Sequence, residues 1–162
     1  MANTNGGIQV KLTLSELLIG ANVGIMRHTQ NLKHGRQPTH GAGRDNAWQK
    51  HISGALGEMA VANALDRYWS GALGDLRAAD IGDRVEVRTT PYGNGKLILH
   101  KTDPDDHWFF LVTGRDGVYI VRGFLQAAAG KKDKYWLDPG TGRPAYFVPQ
   151  ADLRPVAEWG WQ

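Results

Sequence analysis

Val85-Glu86-Val87-Arg88-Thr89-Thr90, followed downstream by Trp108-Phe109-Phe110-Leu111-Val112, is the stretch that decides how this chain is read. The first run alternates: as a strand from Arg84 to Thr90 it puts Val85 and Val87 on one face and Glu86 with Arg88 on the other. The second run is apolar on both faces, the pattern of a central strand covered on each side. Upstream, Gly57-Glu58-Met59-Ala60-Val61-Ala62 has helical character. In a helix the neighbours of Glu58 at three, four and seven places on are Val61, Ala62 and Leu65, so its carboxylate runs along an apolar face. A buried carboxylate without a partner is expensive. Asp80 lies between helix and strand, and the three acids can be aimed at one point. Carboxylates about 4 Å apart repel by roughly 4 kcal/mol at an effective dielectric near 20, and a divalent cation is a common way to relieve that. The chemistry indicated is metal-assisted.

Around this centre the remaining elements follow from periodicity and punctuation. Thr13 and Glu16 have capping-box spacing, and Leu14, Leu17, Leu18, Ala21 and Ile25 form a helical stripe, which predicts a first helix over 13–28. Residues 29–46 carry Gly35, Pro38, Gly41 and Gly43 among polar groups and read as a long loop. A second helix is expected over 48–69, where Gly54 and Gly57 beside Glu58 suggest close approach of another backbone. Strands are expected near 73–77, 84–90, 96–100, 108–113, 118–122 and 145–148. Gly93-Asn94-Gly95 and Gly114-Arg115-Asp116-Gly117 serve as turns, and 124–129 reads as a short helix closed by Gly130. The class is α/β, with helices first and then a mixed sheet with meander character.

At 162 residues the chain suits a single domain. Its expected parts are an N-terminal helix and basic loop (1–50), an αβ core (51–125) and a C-terminal loop and strand (126–162). The absence of cysteine excludes disulfides, zinc-thiolate sites and thiol catalysis. With no secretory leader pattern and no apolar run long enough to span a bilayer, the expectation is a cytoplasmic protein without membrane contact. The net charge of +3 is modest, but its placement is not. Arg27, Lys33, Arg36, Arg44 and Lys50 lie close together in sequence against Asp45 alone, which suits a polyanion such as nucleic acid. The histidines in this stretch lack metal-ligand spacing.

The ordered set of a helical Gly57-Glu58, then Asp80, then Glu86-Val87-Arg88 on a strand followed by an apolar strand, resembles the PD-(D/E)XK, or restriction-endonuclease-like, nuclease superfamily. The likeness covers about 54–122. It implies a restriction-endonuclease-like mixed β-sheet flanked by helices, with Glu58, Asp80 and Glu86 holding one or two magnesium (or manganese) ions for phosphodiester hydrolysis. The activity implied is a metal-dependent endodeoxyribonuclease with DNA as partner, of the small kind common in phages and mobile elements, which would place it in the host cytoplasm. A homodimer would suit double-strand cutting. Where the superfamily usually carries lysine this chain has Arg88, which can clamp a phosphate but cannot give up a proton. Lys96 and Lys101 are candidates for a displaced lysine. The departure leaves room for a catalytically weak protein that only binds nucleic acid, and a phage structural or assembly protein is a third reading.

Overall fold

The computed structural model describes residues 3–4, 7–36, 46–73 and 78–160. The capping box forms as its spacing predicts: Thr13 Oγ1 accepts from the Glu16 amide, the Glu16 carboxylate accepts from the Thr13 amide, and helix α1 (Leu14–Lys33) starts there. The helix outruns its expected end by more than a turn, because Gln30, Asn31, Leu32 and Lys33 are compatible with helix and the first punctuation is Gly35 at φ +61°.

The fully buried positions of α1 are Gly20, Gly24 and His28, and of the apolar stripe Leu17, half-buried, packs against the core. Leu14, Leu18 and Ile25 are exposed. The reason lies in the neighbouring helix α2 (Ala47–Ala64), whose backbone comes so close that a Cβ on Gly24 would sit 2.5 Å from the Ile52 Cα. Glycine permits this approach where leucine would forbid it. Helix α2 is in turn buried without a break from Ala55 to Ala62, enclosed by α1 on one side and the sheet on the other. It stops at Ala64 rather than near 69. Asp66, at φ 52°, turns the chain back.

The strands form two sheets, not the one that was expected. The larger is ordered β1 (Asn3–Thr4), β2 (Gly7–Lys11), β6 (Val118–Gln126), β5 (Trp108–Arg115), β3 (Val85–Thr90), antiparallel throughout except for the parallel pair β3 and β5. The smaller is antiparallel: β4 (Leu97–Leu99), β8 (Ala145–Val148), β7 (Trp136–Leu137). Gly93-Asn94-Gly95 therefore connects two sheets and closes no hairpin, whereas the 114–117 turn does join β5 to β6, with Gly114, Asp116 and Gly117 all at positive φ. Phe124 to Gln126 continue β6, so the short helix shrinks to α3 (Ala127–Gly130). Of the strand expected at 73–77, residues 74–77 lie outside the described residues. The short strands β1, β2 and β7 lie outside the expected set.

Strand β5 is central, as its two-faced apolar pattern predicts. Phe110 and Val112 join the core beneath α2, with Met59, Val61, Val87 and Tyr119. Phe109 and Leu111 point the other way, into a second core under the small sheet with Leu97, Leu99 and Val148. No helix among the described residues is long and apolar enough to cross a membrane.

Candidate functional site

The three acids singled out by sequence come from α2, from the segment before β3, and from β3 itself. Gly57 brings the helix against the strand: a side chain there would overlap that of Thr89, whose Oγ1 is buried and has no hydrogen-bond partner among the described residues. Gly54, by contrast, faces open space, so only one of the two glycines marks a close approach. The next residue after Gly57 is Glu58, which is buried but not alone. Its Oε1 accepts from Arg27 Nη1 at 2.6 Å, and its Oε2 accepts from Arg27 Nη2 and from Trp69 Nε1, both at 3.0 Å. Arg27 Nε donates to the Ala72 carbonyl. Burial works against the Arg27 charge, but the bond to Glu58 and its charge raise the guanidinium above its ordinary basicity. The cation that the buried carboxylate called for is thus supplied by the chain itself, and Arg27, expected on a nucleic-acid-binding stretch, is turned inward.

Asp80 reaches β3 through a tight fold-back. Ile81 forms an antiparallel bridge with Val85, and Asp80 Oδ2 accepts the Val87 amide at 2.7 Å. Its carboxyl is pushed well above the usual range, first by burial and then by the negative charges of Glu58 and Glu86, while the Val87 bond and the charge of Arg88 pull the other way. Asp80 therefore lies in the combined field of the other two acids. Glu86, on the polar side of β3, holds His107 at 2.9 Å between Oε1 and Nδ1. Arg88 donates to Asp103 Oδ1 at 3.0 Å, with its guanidinium 4.8 Å from the centre of the Phe109 ring. Asp103 Oδ2 also accepts the His100 amide, and Lys131 Nζ braces this turn on Asp105 Oδ1 at 2.7 Å and on the carbonyls of Lys101 and Asp103.

His107 and Asp103 are the partners that sequence reasoning missed. His107 precedes β5, and only the parallel register that sets Val85 beside Trp108 brings it to Glu86. Among the described residues neither candidate for a displaced lysine bonds to the acids: Lys101 Nζ lies 4.5 Å from the centre of the Trp136 ring, and Lys96 is exposed ahead of β4. Lys33, Arg36 and Lys50 are exposed, and Arg44 lies outside the described residues. Near them His28 is packed against Trp48 and His51, with ring centres 4.3 and 5.1 Å apart. Burial, then the charges of His28 and Arg27, lower the pKa of His51.

Among the described residues no three His, Cys, Asp or Glu side chains stand close enough to hold a metal ion together. The donor chemistry nevertheless suits a hard cation, since all three acids offer oxygen and Asp80 is half-buried in the field of two anions. No family model, curated protein or solved structure matches the chain.

Proposed function

We propose that this protein is a magnesium- or manganese-dependent nuclease of restriction-endonuclease-like type, cutting DNA as an endonuclease. The observation that supports the reading is electrostatic: acids from a helix, a fold-back and a strand lie near enough for the charges of Glu58 and Glu86 both to raise the Asp80 carboxyl. Glu58, Asp80 and Glu86 would hold the ion, which when bound supplies positive charge for phosphodiester hydrolysis. The chain's own part is positional. Val87 fixes the Asp80 carboxylate through its amide, and His107 fixes the Glu86 carboxylate. Asp103 and Phe109 hold the Arg88 guanidinium on the polar side of β3, where it would meet a phosphate as a fixed cation.

The ion pair of Arg27 with Glu58 favours a second reading, binding of nucleic acid without cleavage, because it already neutralises one of the three acids. A gel assay on supercoiled, linear and branched DNA with magnesium or manganese separates the two. Metal-dependent cutting that Glu86→Ala abolishes supports the nuclease. A mobility shift without cutting supports the second reading, and neither result would remove both.

A further inference from the structure

Leu17 of the apolar stripe packs against the core, whereas Leu14, Leu18 and Ile25 face outward and extend into a second row on α1. Leu14, Leu18, Ala21, Ile25, His28 and Leu32 follow one another at intervals of 4, 3, 4, 3 and 4 residues, the heptad spacing of a helix that packs on another helix. Leu14 is 73% exposed, Leu18 58%, Ile25 39% and Leu32 59%. His28 is buried, and its place on the stripe is covered by the ring of Trp48, itself 45% exposed. Large apolar side chains exposed in a row along a 20-residue helix mark an interaction surface.

We propose that α1 packs antiparallel against α1 of a second copy of this chain, about a two-fold axis. Three properties of the face select that occupant. First, the spacing reads the same in both directions about position 23. An antiparallel copy therefore sets Leu14 against Leu32, Leu18 against the His28–Trp48 position, and small Ala21 against large Ile25, as an isologous contact requires.

Second, among the described residues the stripe on α1 itself carries no charge. Of the charged residues on α1, Glu16 is bound to Thr13 and Asn63, Arg27 to Glu58, and Lys33 lies off the stripe in the last turn. The positions beside the seam are Ser15, Asn22 and Thr29 on one flank and Leu17, Gly24 and Asn31 on the flank towards α2. A two-fold axis brings like residues together, so a neutral face pairs with itself without repulsion and offers nothing to recruit a polyanion. Third, the size is adequate. The helix is about 30 Å long. A strip of that length widened by Trp48 falls near the upper part of the roughly 300–600 Å² of large monomer patches. Counted on both copies, this reaches about the 1,200 Å² at which specific interfaces begin. The inference depends on neither metal nor DNA.

Sedimentation velocity of the full chain over a concentration series tests it. The expected mass rises with concentration from 17.8 kDa towards twice that value. Leu18→Glu should remain monomeric throughout with an unchanged circular dichroism melt, while Leu137→Glu, at an exposed apolar position on β7, should associate like the parent. Because the chain has no cysteine, Asn22→Cys, near the axis, should form a disulfide-linked dimer on oxidation. Ser15→Cys should not, since an antiparallel pairing holds its two copies about 20 Å apart. A monomer at every concentration would overturn the proposal. So would association of Leu18→Glu equal to that of the parent, or crosslinking of Ser15→Cys as readily as Asn22→Cys.

Discussion

Arg27 and Glu58, 31 residues apart in sequence, meet through both terminal guanidinium nitrogens at 2.6 and 3.0 Å and so tie α1 to α2. The carboxylate is buried, so removal of the arginine leaves an uncompensated charge rather than merely a lost contact. Arg27→Met should destabilise the fold by about 3–5 kcal/mol, and Arg27→Met with Glu58→Gln should recover most of it, because the second change removes the stranded charge. Urea unfolding of the parent, both single variants and the double variant measures the coupling.

Asp80 gives stability an unusual dependence on pH. Its folded carboxyl titrates well above the ordinary value of 3.8, so between 3.8 and the raised value the folded chain keeps a proton that the unfolded chain has lost. The resulting stability is fully present below 3.8 and is lost as pH rises through the folded value. Asp80→Asn keeps an oxygen for the Val87 amide and carries no charge. Metal-free melts from about pH 4 to about pH 8 should show the variant gaining on the parent as pH rises. Parallel curves would mean that Asp80 titrates normally.

Cleavage is expected to depend on the acids and on Arg88 in different ways. Glu86→Ala removes a ligand and releases His107, and should leave no detectable cutting with the fold retained. Arg88→Ala should lower the rate by about 100-fold to 1,000-fold, the usual loss of one preorganised donor. Arg88→Lys should keep activity, since lysine can still pair with Asp103. Single-turnover rates on plasmid DNA at saturating magnesium distinguish these outcomes.

Salt dependence reads the basic stretch separately from the acids. Neutralising Lys33, Arg36 and Arg44 together should flatten the slope of log affinity against log salt by about 2.7, from about 0.9 per phosphate contact. Metal-free binding to unrelated duplexes measures it, and an unchanged slope would move the DNA path elsewhere.

The two glycines beside Glu58 should respond in opposite directions. Gly57→Ala drives a methyl group into Thr89 and should cost about 1–3 kcal/mol. Gly54→Ala meets open space inside a helix and should gain about 0.4–1 kcal/mol. Thermal melts of the two variants suffice.

The sequence signals that match the structure were local ones, alternation or a short two-faced apolar run. Val85 to Thr90, Leu97 to Leu99, Trp108 to Arg115 and Ala145 to Val148 are strands whose pattern is complete within a few residues. The Thr13 capping box held for the same local reason. The inner face of α1 was only partly legible because hydropathy assigns burial to leucines, whereas here the closest contact is made by glycines that hydropathy ignores. The site was legible as a set of acids and illegible in its partners. Glu58 was read as a carboxylate in need of a cation, but that the cation would be Arg27 depends on the crossing of two helices, and the place of His107 on the register of two strands.

Strand β5 serves two cores at once, with Phe110 and Val112 on one side and Phe109 and Leu111 on the other. Neither sheet can open without stripping apolar cover from the same eight residues. Local fluctuations that loosen the small sheet therefore weaken the footing of the larger one, and the backbone amides of β5 should exchange with solvent only when the whole chain unfolds. Its edges are free to breathe. The strand at its centre registers only collective events, so its exchange rate is a direct reading of global stability, in a molecule whose acids and helices report on their own neighbourhoods.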